Sequence, residues 1–156
     1  MIGGSLVENR QHGFTLIEIM AVVLIIGLLG GIVGAVVFAQ VDKARVTTAK
    51  VQVKAFEEAL DAYRMDNGKY PTSEQGLQAL VQKPTSEPVP KRWQPEGYLP
   101  GGRVPNDPWD NAYQYQSPGT HNPYSFDLWS LGADGQPGGS GVDADHGNWP
   151  SEDDAS

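Results

Sequence analysis

From residue 19 to residue 39 every position is apolar or glycine, a run of 21. About 20 residues of helix cross a hydrocarbon core of roughly 30 Å, so this run predicts a membrane-spanning helix. Past it the pattern turns amphipathic. Val46, Ala49, Val53, Phe56, Leu60 and Tyr63 recur at alternating spacings of three and four, which is one stripe of a helix. Lys50, Lys54, Glu57, Glu58, Asp61 and Arg64 fall largely off that stripe, and Asp61 with Arg64 stands at helix-pair spacing. Proline sets the limit of the helix. All 12 prolines lie at or after Pro71, and one inside a helix costs about 3 kcal/mol or more. The expectation is a single helix over residues 14–66, stopped by Asn67-Gly68. Its stripe spans under three heptads, weak support for a coiled coil, so cover from the protein's own sheet is expected.

The remainder reads as short elements. Thr72 followed by Gln75 is a capping-box pattern, which predicts a short helix over residues 73–81. Residues 84–105 hold six prolines and read as an irregular connector. "NDPWDN" is a turn feeding a strand over residues 112–116. A second strand is expected over residues 124–131, with "SPGTHN" closing a hairpin between the two.

Charge divides the chain again. Up to Arg103 there are 11 basic and 10 acidic residues; after it there are 9 acidic and none basic. A nucleic-acid partner needs a basic footprint, so that class is excluded. The acidic end suits a solvated tail or a cation site. There is no cysteine, so a small domain in an oxidising compartment would need another staple. His12, His121 and His146 are scattered, and no catalytic constellation is present. Trp93, Trp109, Trp129 and Trp149 read as core or subunit contacts.

Glu18 sits at the edge of the apolar run, where a carboxylate is costly unless paired. Cleavage after Ala39, as in a secretory signal, fits poorly, because the run exceeds an ordinary h-region and carries that charge. "GFTLIE" instead resembles the processing site of type IV pilins and pseudopilins. The resemblance implies a leader over residues 1–13, cleaved between Gly13 and Phe14 by a prepilin peptidase, with Phe14 then N-methylated. It also implies that Glu18 neutralises the new amine of an adjacent subunit. Family members often carry proline where this chain has Ala35; Gly27, Gly30, Gly31 and Gly34 offer softness, or close helix approach, in its place.

"YPTSEQGLQALV", "DPWDNAYQY" and "DLWSLGADG" are similar to segments of the major pseudopilins of type II secretion. The match runs from Gly13 to Trp149. It implies an α+β, type IV pilin-like fold: a long amino-terminal helix, membrane-spanning in one half and amphipathic in the other, packed on a small antiparallel sheet. The parts would be a filament-core helix (14–40), an amphipathic helix (41–66), a periplasmic α/β part (67–150) and a tail (151–156). The implied function is a structural subunit, not an enzyme, that polymerises with itself into the periplasmic pseudopilus driving folded exoproteins through the outer-membrane secretin. Implied partners are minor pseudopilins and the inner-membrane assembly platform, with a single-pass location in a bacterial inner membrane. A type IV pilus subunit is the nearest alternative. A membrane-anchored calcium-binding module that never polymerises is another.

"LGADGQPGGSGVDADHGNW" places Asp134, Asp143 and Asp145 in a glycine-rich loop. Hard cations such as Ca²⁺ take carboxylate and backbone oxygens; a solvated acidic loop is the other reading. The spacing is not that of an EF-hand. The pseudopilin resemblance implies Ca²⁺, held by the side chains of Asp134, Asp143 and Asp145 and by backbone oxygens of Leu131, Ser140 and Val142.

Overall fold

The computed structural model describes residues 13–150. The leader up to His12 and the tail over residues 151–156 lie outside the described residues. The elements in order are α1 (Leu16–Asn67), β1 (Gln114–Gln116), β2 (Asp127–Ser130) and β3 (His146–Gly147). Three short 3₁₀ turns lie at Leu77–Leu80, Pro100–Gly102 and Gly141–Asp143. The chain divides into two compact units, Met1–Gln40 and Val41–Ser156.

In the first unit α1 is apolar and almost entirely exposed. Among the described residues it is the one helix long and apolar enough to cross a membrane, with none of its most apolar stretch buried. It runs unbroken through Gly27, Gly30, Gly31 and Gly34. A Cβ at any of the four would meet nothing within 4 Å, so these glycines leave shallow open surface on the helix.

In the second unit the amphipathic stripe does what its spacing predicts. Ala49, Val53, Phe56, Leu60 and Tyr63 are buried, and Ala59 joins them. From Val53 onward they form one core with Leu77, Leu80, Leu99, Tyr113, Phe126 and Leu128. Phe56 meets Tyr113 edge-on at 5.0 Å, and Tyr70 meets Phe126 at 4.8 Å. Each such side chain taken from water contributes about 1.5–3 kcal/mol. Trp93 packs on this core and donates its indole N–H to the Ala79 carbonyl at 2.8 Å.

The sheet is antiparallel, in the order β1-β2-β3. Gln114 pairs with Trp129, Tyr115 with Leu128 and Gln116 with Asp127; Trp129 and Ser130 pair onward with Gly147 and His146. Alternation along a strand sends Tyr115 and Leu128 to the core face and Gln114, Gln116 and Trp129 to the other.

Several expected elements come out shorter. The Thr72–Gln75 box forms in both directions, at 3.2 Å each. No α-helix follows it over residues 73–81, because Gly76 takes φ +58° and leaves only the 3₁₀ turn Leu77–Leu80. Neither strand reaches its expected length. Tyr124 is fully exposed and sits in the hairpin loop, where Ser125 N–H turns back to the Asn122 carbonyl. The Asp61–Arg64 pair gives way to Tyr70, whose hydroxyl donates to Asp61 (2.7 Å) and accepts from Arg64 (3.1 Å). Lys54 and Glu57, three apart on the helix, do form an ion pair at 3.5 Å. Strand β3 was not expected at all.

Candidate functional site

At the amino-terminal end, Gly13 and Phe14 lie in exposed, non-helical backbone just ahead of α1. Glu18 stands in the first turn of the helix. Its carboxylate accepts from the Thr15 backbone N–H at 3.4 Å, and its own N–H donates to the Thr15 hydroxyl at 3.3 Å. That is a reciprocal capping box. Thr15 is therefore part of the site, and T-x-x-E ahead of an apolar run is the sequence signal that marks it. The carboxylate also sits at the positive end of the helix dipole, so Glu18 has a local role before any second chain arrives.

The acidic loop is built on a frame that sequence reading did not single out. Asp107 is buried at 5% exposure. One oxygen accepts the Trp109 and Asn111 backbone N–H groups at 3.0 and 2.8 Å. The other accepts the hydroxyl of Ser130, which is fully buried and itself accepts the Gly132 N–H at 3.1 Å. Asn111 donates its side-chain amide to the Gly132 carbonyl at 3.0 Å. The "NDPWDN" turn thus holds the first residues of the loop. Burial first, and the Asp107 charge second, push the Tyr113 hydroxyl pKa up. The Asn-Asp-Pro pattern announced a turn; that its aspartate reaches β2 could not be read from it.

Within the loop, two segments lie against each other. Ala133 N–H donates to the Val142 carbonyl at 2.9 Å, and Asp145 N–H to the Gly138 carbonyl at 3.1 Å. The contact is close enough to require glycine at Gly132, at φ +70°, where a Cβ would lie 2.7 Å from the Ala144 carbonyl oxygen. Asp134 accepts the Gln136 N–H at 3.0 Å, and Asp145 accepts the Gly138 N–H at 3.0 Å through one oxygen. The other oxygen of Asp145, Oδ1, is buried and has no hydrogen-bond partner. Asp143 ends the 3₁₀ turn Gly141–Asp143, its N–H on the Ser140 carbonyl at 3.2 Å. All six expected ligand residues, Leu131, Asp134, Ser140, Val142, Asp143 and Asp145, fall in or next to this loop. Among the described residues no three Asp, Glu, His or Cys side chains converge as a metal cluster. The Val142 and Ser140 carbonyls already accept hydrogen bonds, though each carbonyl has a second lone pair.

Asp127 was likewise missed. It is 2% exposed and gathers the β1–β2 loop: it accepts the backbone N–H groups of Thr120, His121 and Asn122 and the Asn122 side-chain amide, all within 3.0 Å, with His121 Nδ1 at 3.1 Å. Burial pushes its carboxyl up, but the His121, Asn122 and Thr120 hydrogen bonds outweigh that and hold it below its ordinary value.

A family model described as type II secretion system (T2SS), protein G, matches residues 36–149. One described as the prokaryotic N-terminal methylation motif matches residues 9–34. The type II secretion system core protein G of Pseudomonas aeruginosa is 56% identical over 142 residues, which is 91% of this chain and 97% of that protein. The protein of the same name from Vibrio cholerae is 47% identical over 145 residues, 93% of this chain and 96% of its own. Among solved structures, the major pseudopilin from the type 2 secretion system of enterohaemorrhagic Escherichia coli matches with a TM-score of 0.62 at 42% identity. That match covers 72% of this chain and 92% of the other.

Proposed function

The chain belongs to the type II secretion system protein G family, and from that premise we propose how its two candidate sites serve a pseudopilus. As a member it is a pseudopilin, a structural subunit of the secretion system that assembles with copies of itself. The observation that carries the reading is the coincidence of two matches on one chain. A methylation-motif start covers residues 9–34, and a protein G body covers residues 36–149.

Prepilin peptidase cuts between Gly13 and Phe14, and the new α-amine of Phe14 is methylated. The amine then stands next to a carboxylate already turned toward the start of α1 by Thr15. In lipid an unpaired carboxylate is unfavourable, so a subunit whose Glu18 meets the amine of a neighbour gains on entering the filament. The apolar half of α1 anchors the subunit, once through the inner membrane, with residues from about Val41 onward in the periplasm. Minor pseudopilins, the assembly platform and, indirectly, the secretin and exoproteins are its partners. No step calls for a catalytic group.

The acidic loop fits a hard cation. The six expected ligands all offer oxygen, as Ca²⁺ requires, and the buried Asp145 Oδ1 lacks a hydrogen-bond partner. Asp134, Asp143 and Asp145 would hold Ca²⁺ through their side chains, with the Leu131, Ser140 and Val142 carbonyls. The ion would supply charge compensation and a staple in a chain without cysteine, stabilising the folded state by mass action.

Polymerisation is tested by crosslinking in membranes that contain the assembly machinery. Cysteines placed at residues 16 and 40, flanking the apolar run, should give a ladder of multimers in cells. Monomers alone would reject the filament reading and leave an anchored module.

A further inference from the structure

The sheet face turned away from the core carries rings that the core does not use. Trp129 and Trp149 meet edge-on, with centroids 5.7 Å apart at 61°. The His121 ring lies flat on Trp149, at 4.0 Å and 9°. Together with Gln114 and Gln116 they wall a cleft of about 320 Å³. Both tryptophans remain only partly buried. No lysine or arginine lines the cleft. Both of its carboxylates are committed elsewhere: Asp127 is engaged by the loop beneath it, and Asp145 is turned into the acidic loop, one oxygen on the Gly138 N–H and the other buried.

We propose that this cleft binds an uncharged pyranose ring, one unit of a glycan. A pyranose has an apolar face of C–H groups and a rim of hydroxyls. The face matches an indole ring, an amphipathic surface of large contact area. The rim needs partners that both donate and accept, and a glutamine amide does both. Gln114 and Gln116 stand two apart on one face of β1, about 7 Å from each other along the strand. Each amide is steadied through its nitrogen, Gln114 on the Ala112 carbonyl at 3.0 Å and Gln116 on the Thr120 hydroxyl at 3.3 Å.

Charge selects against the other candidates. An anionic ligand meets no counter-charge, in a stretch where every charged residue after Arg103 is acidic. A proline-rich peptide also stacks on aromatic grooves, but it presents mainly carbonyl acceptors. It brings no N–H for the Gln114 and Gln116 amide oxygens, whereas sugar hydroxyls donate to them.

The test uses the full chain in micelles of a detergent without a sugar headgroup, at constant Ca²⁺. The probes are chitotriose, cellotriose and decaproline. Saturation-transfer NMR and tryptophan fluorescence should detect at least one trisaccharide, with Kd on the order of 1 mM and the strongest transfer to ring C–H protons. Trp149→Ala should weaken that binding about tenfold or more. Gln116→Ala, at an exposed position, should weaken it measurably with circular dichroism unchanged. The proposal is overturned by no transfer to either trisaccharide at several millimolar, by decaproline binding in their place, or by sugar binding that both variants leave intact.

Discussion

The Asp107–Ser130 bond should be strongly coupled, because it is the only described tie that joins the "NDPWDN" turn directly to the end of β2 through two buried side chains. Replacing Ser130 with Ala removes a hydroxyl that donates to a carboxylate and accepts the Gly132 N–H. A hydrogen bond to a charged group contributes about 1.5–3 kcal/mol, and removing one buried partner costs the desolvation of the group left behind, about 1–3 kcal/mol and more when it is charged. Ser130→Ala should therefore destabilise by about 2–4 kcal/mol. Asp107→Ala loses the same bond and leaves the Trp109 and Asn111 N–H groups unmet, so a similar loss is expected. In the double variant no carboxylate remains to be stranded, so the two losses should fall short of additive by about 1–3 kcal/mol. The assay is urea unfolding of a fragment from Val41 onward, which holds its own core, for wild type, both single variants and the double. At about 4 °C per kcal/mol for a unit of this size, each single variant should also melt roughly 8–16 °C lower. Additive losses within about 0.5 kcal/mol would refute the view that this bond positions the acidic loop.

Three further outcomes are expected. Ca²⁺ should raise the unfolding midpoint of the same fragment, a chelator should reverse this, and Asp145→Asn should abolish most of the rise; equal midpoints with and without Ca²⁺ would sink the cation reading. Asp127, its carboxyl held below the ordinary 3.8, contributes stability that is complete above that value and lost as pH falls through its lower folded value. Asp127→Asn should flatten that acid limb in a pH series of thermal melts. Thr15→Ala should remove the hydroxyl half of the capping box at a cost of about 0.5–2 kcal/mol, read as faster amide hydrogen exchange at residues 16–18 in micelles; unchanged exchange there would discount the box.

What could be read from the sequence follows periodicity. The helix and its buried stripe were legible because burial repeats every three or four residues from Ala49 to Tyr63, and because proline is absent before Pro71. Strand lengths were not. Tyr124 alternates correctly with Phe126 and Leu128, yet a turn at Asn122–Ser125 takes it out of the sheet. β3 has two residues, too few for any pattern to show. The 3₁₀ turn at Leu77–Leu80 replaced an α-helix because one glycine took a positive φ, a choice that the capping signal before it does not reveal. The site was half legible. Asp134, Asp143 and Asp145 stood out by density in a glycine-rich stretch. Asp107, Asp127 and Ser130, which brace the loops, did not, because their partners lie up to 23 residues away and only folding brings them together.

The central claim is that this chain is a filament subunit whose assembly depends on Glu18. It is tested most directly by exoprotein secretion in a strain lacking its own gene for this subunit. The wild-type chain should restore secretion to the medium. Glu18→Ala should be cleaved and inserted normally yet leave exoproteins in the periplasm. Secretion by the variant at the wild-type level, or no rescue by the wild-type chain at equal abundance, would contradict the account.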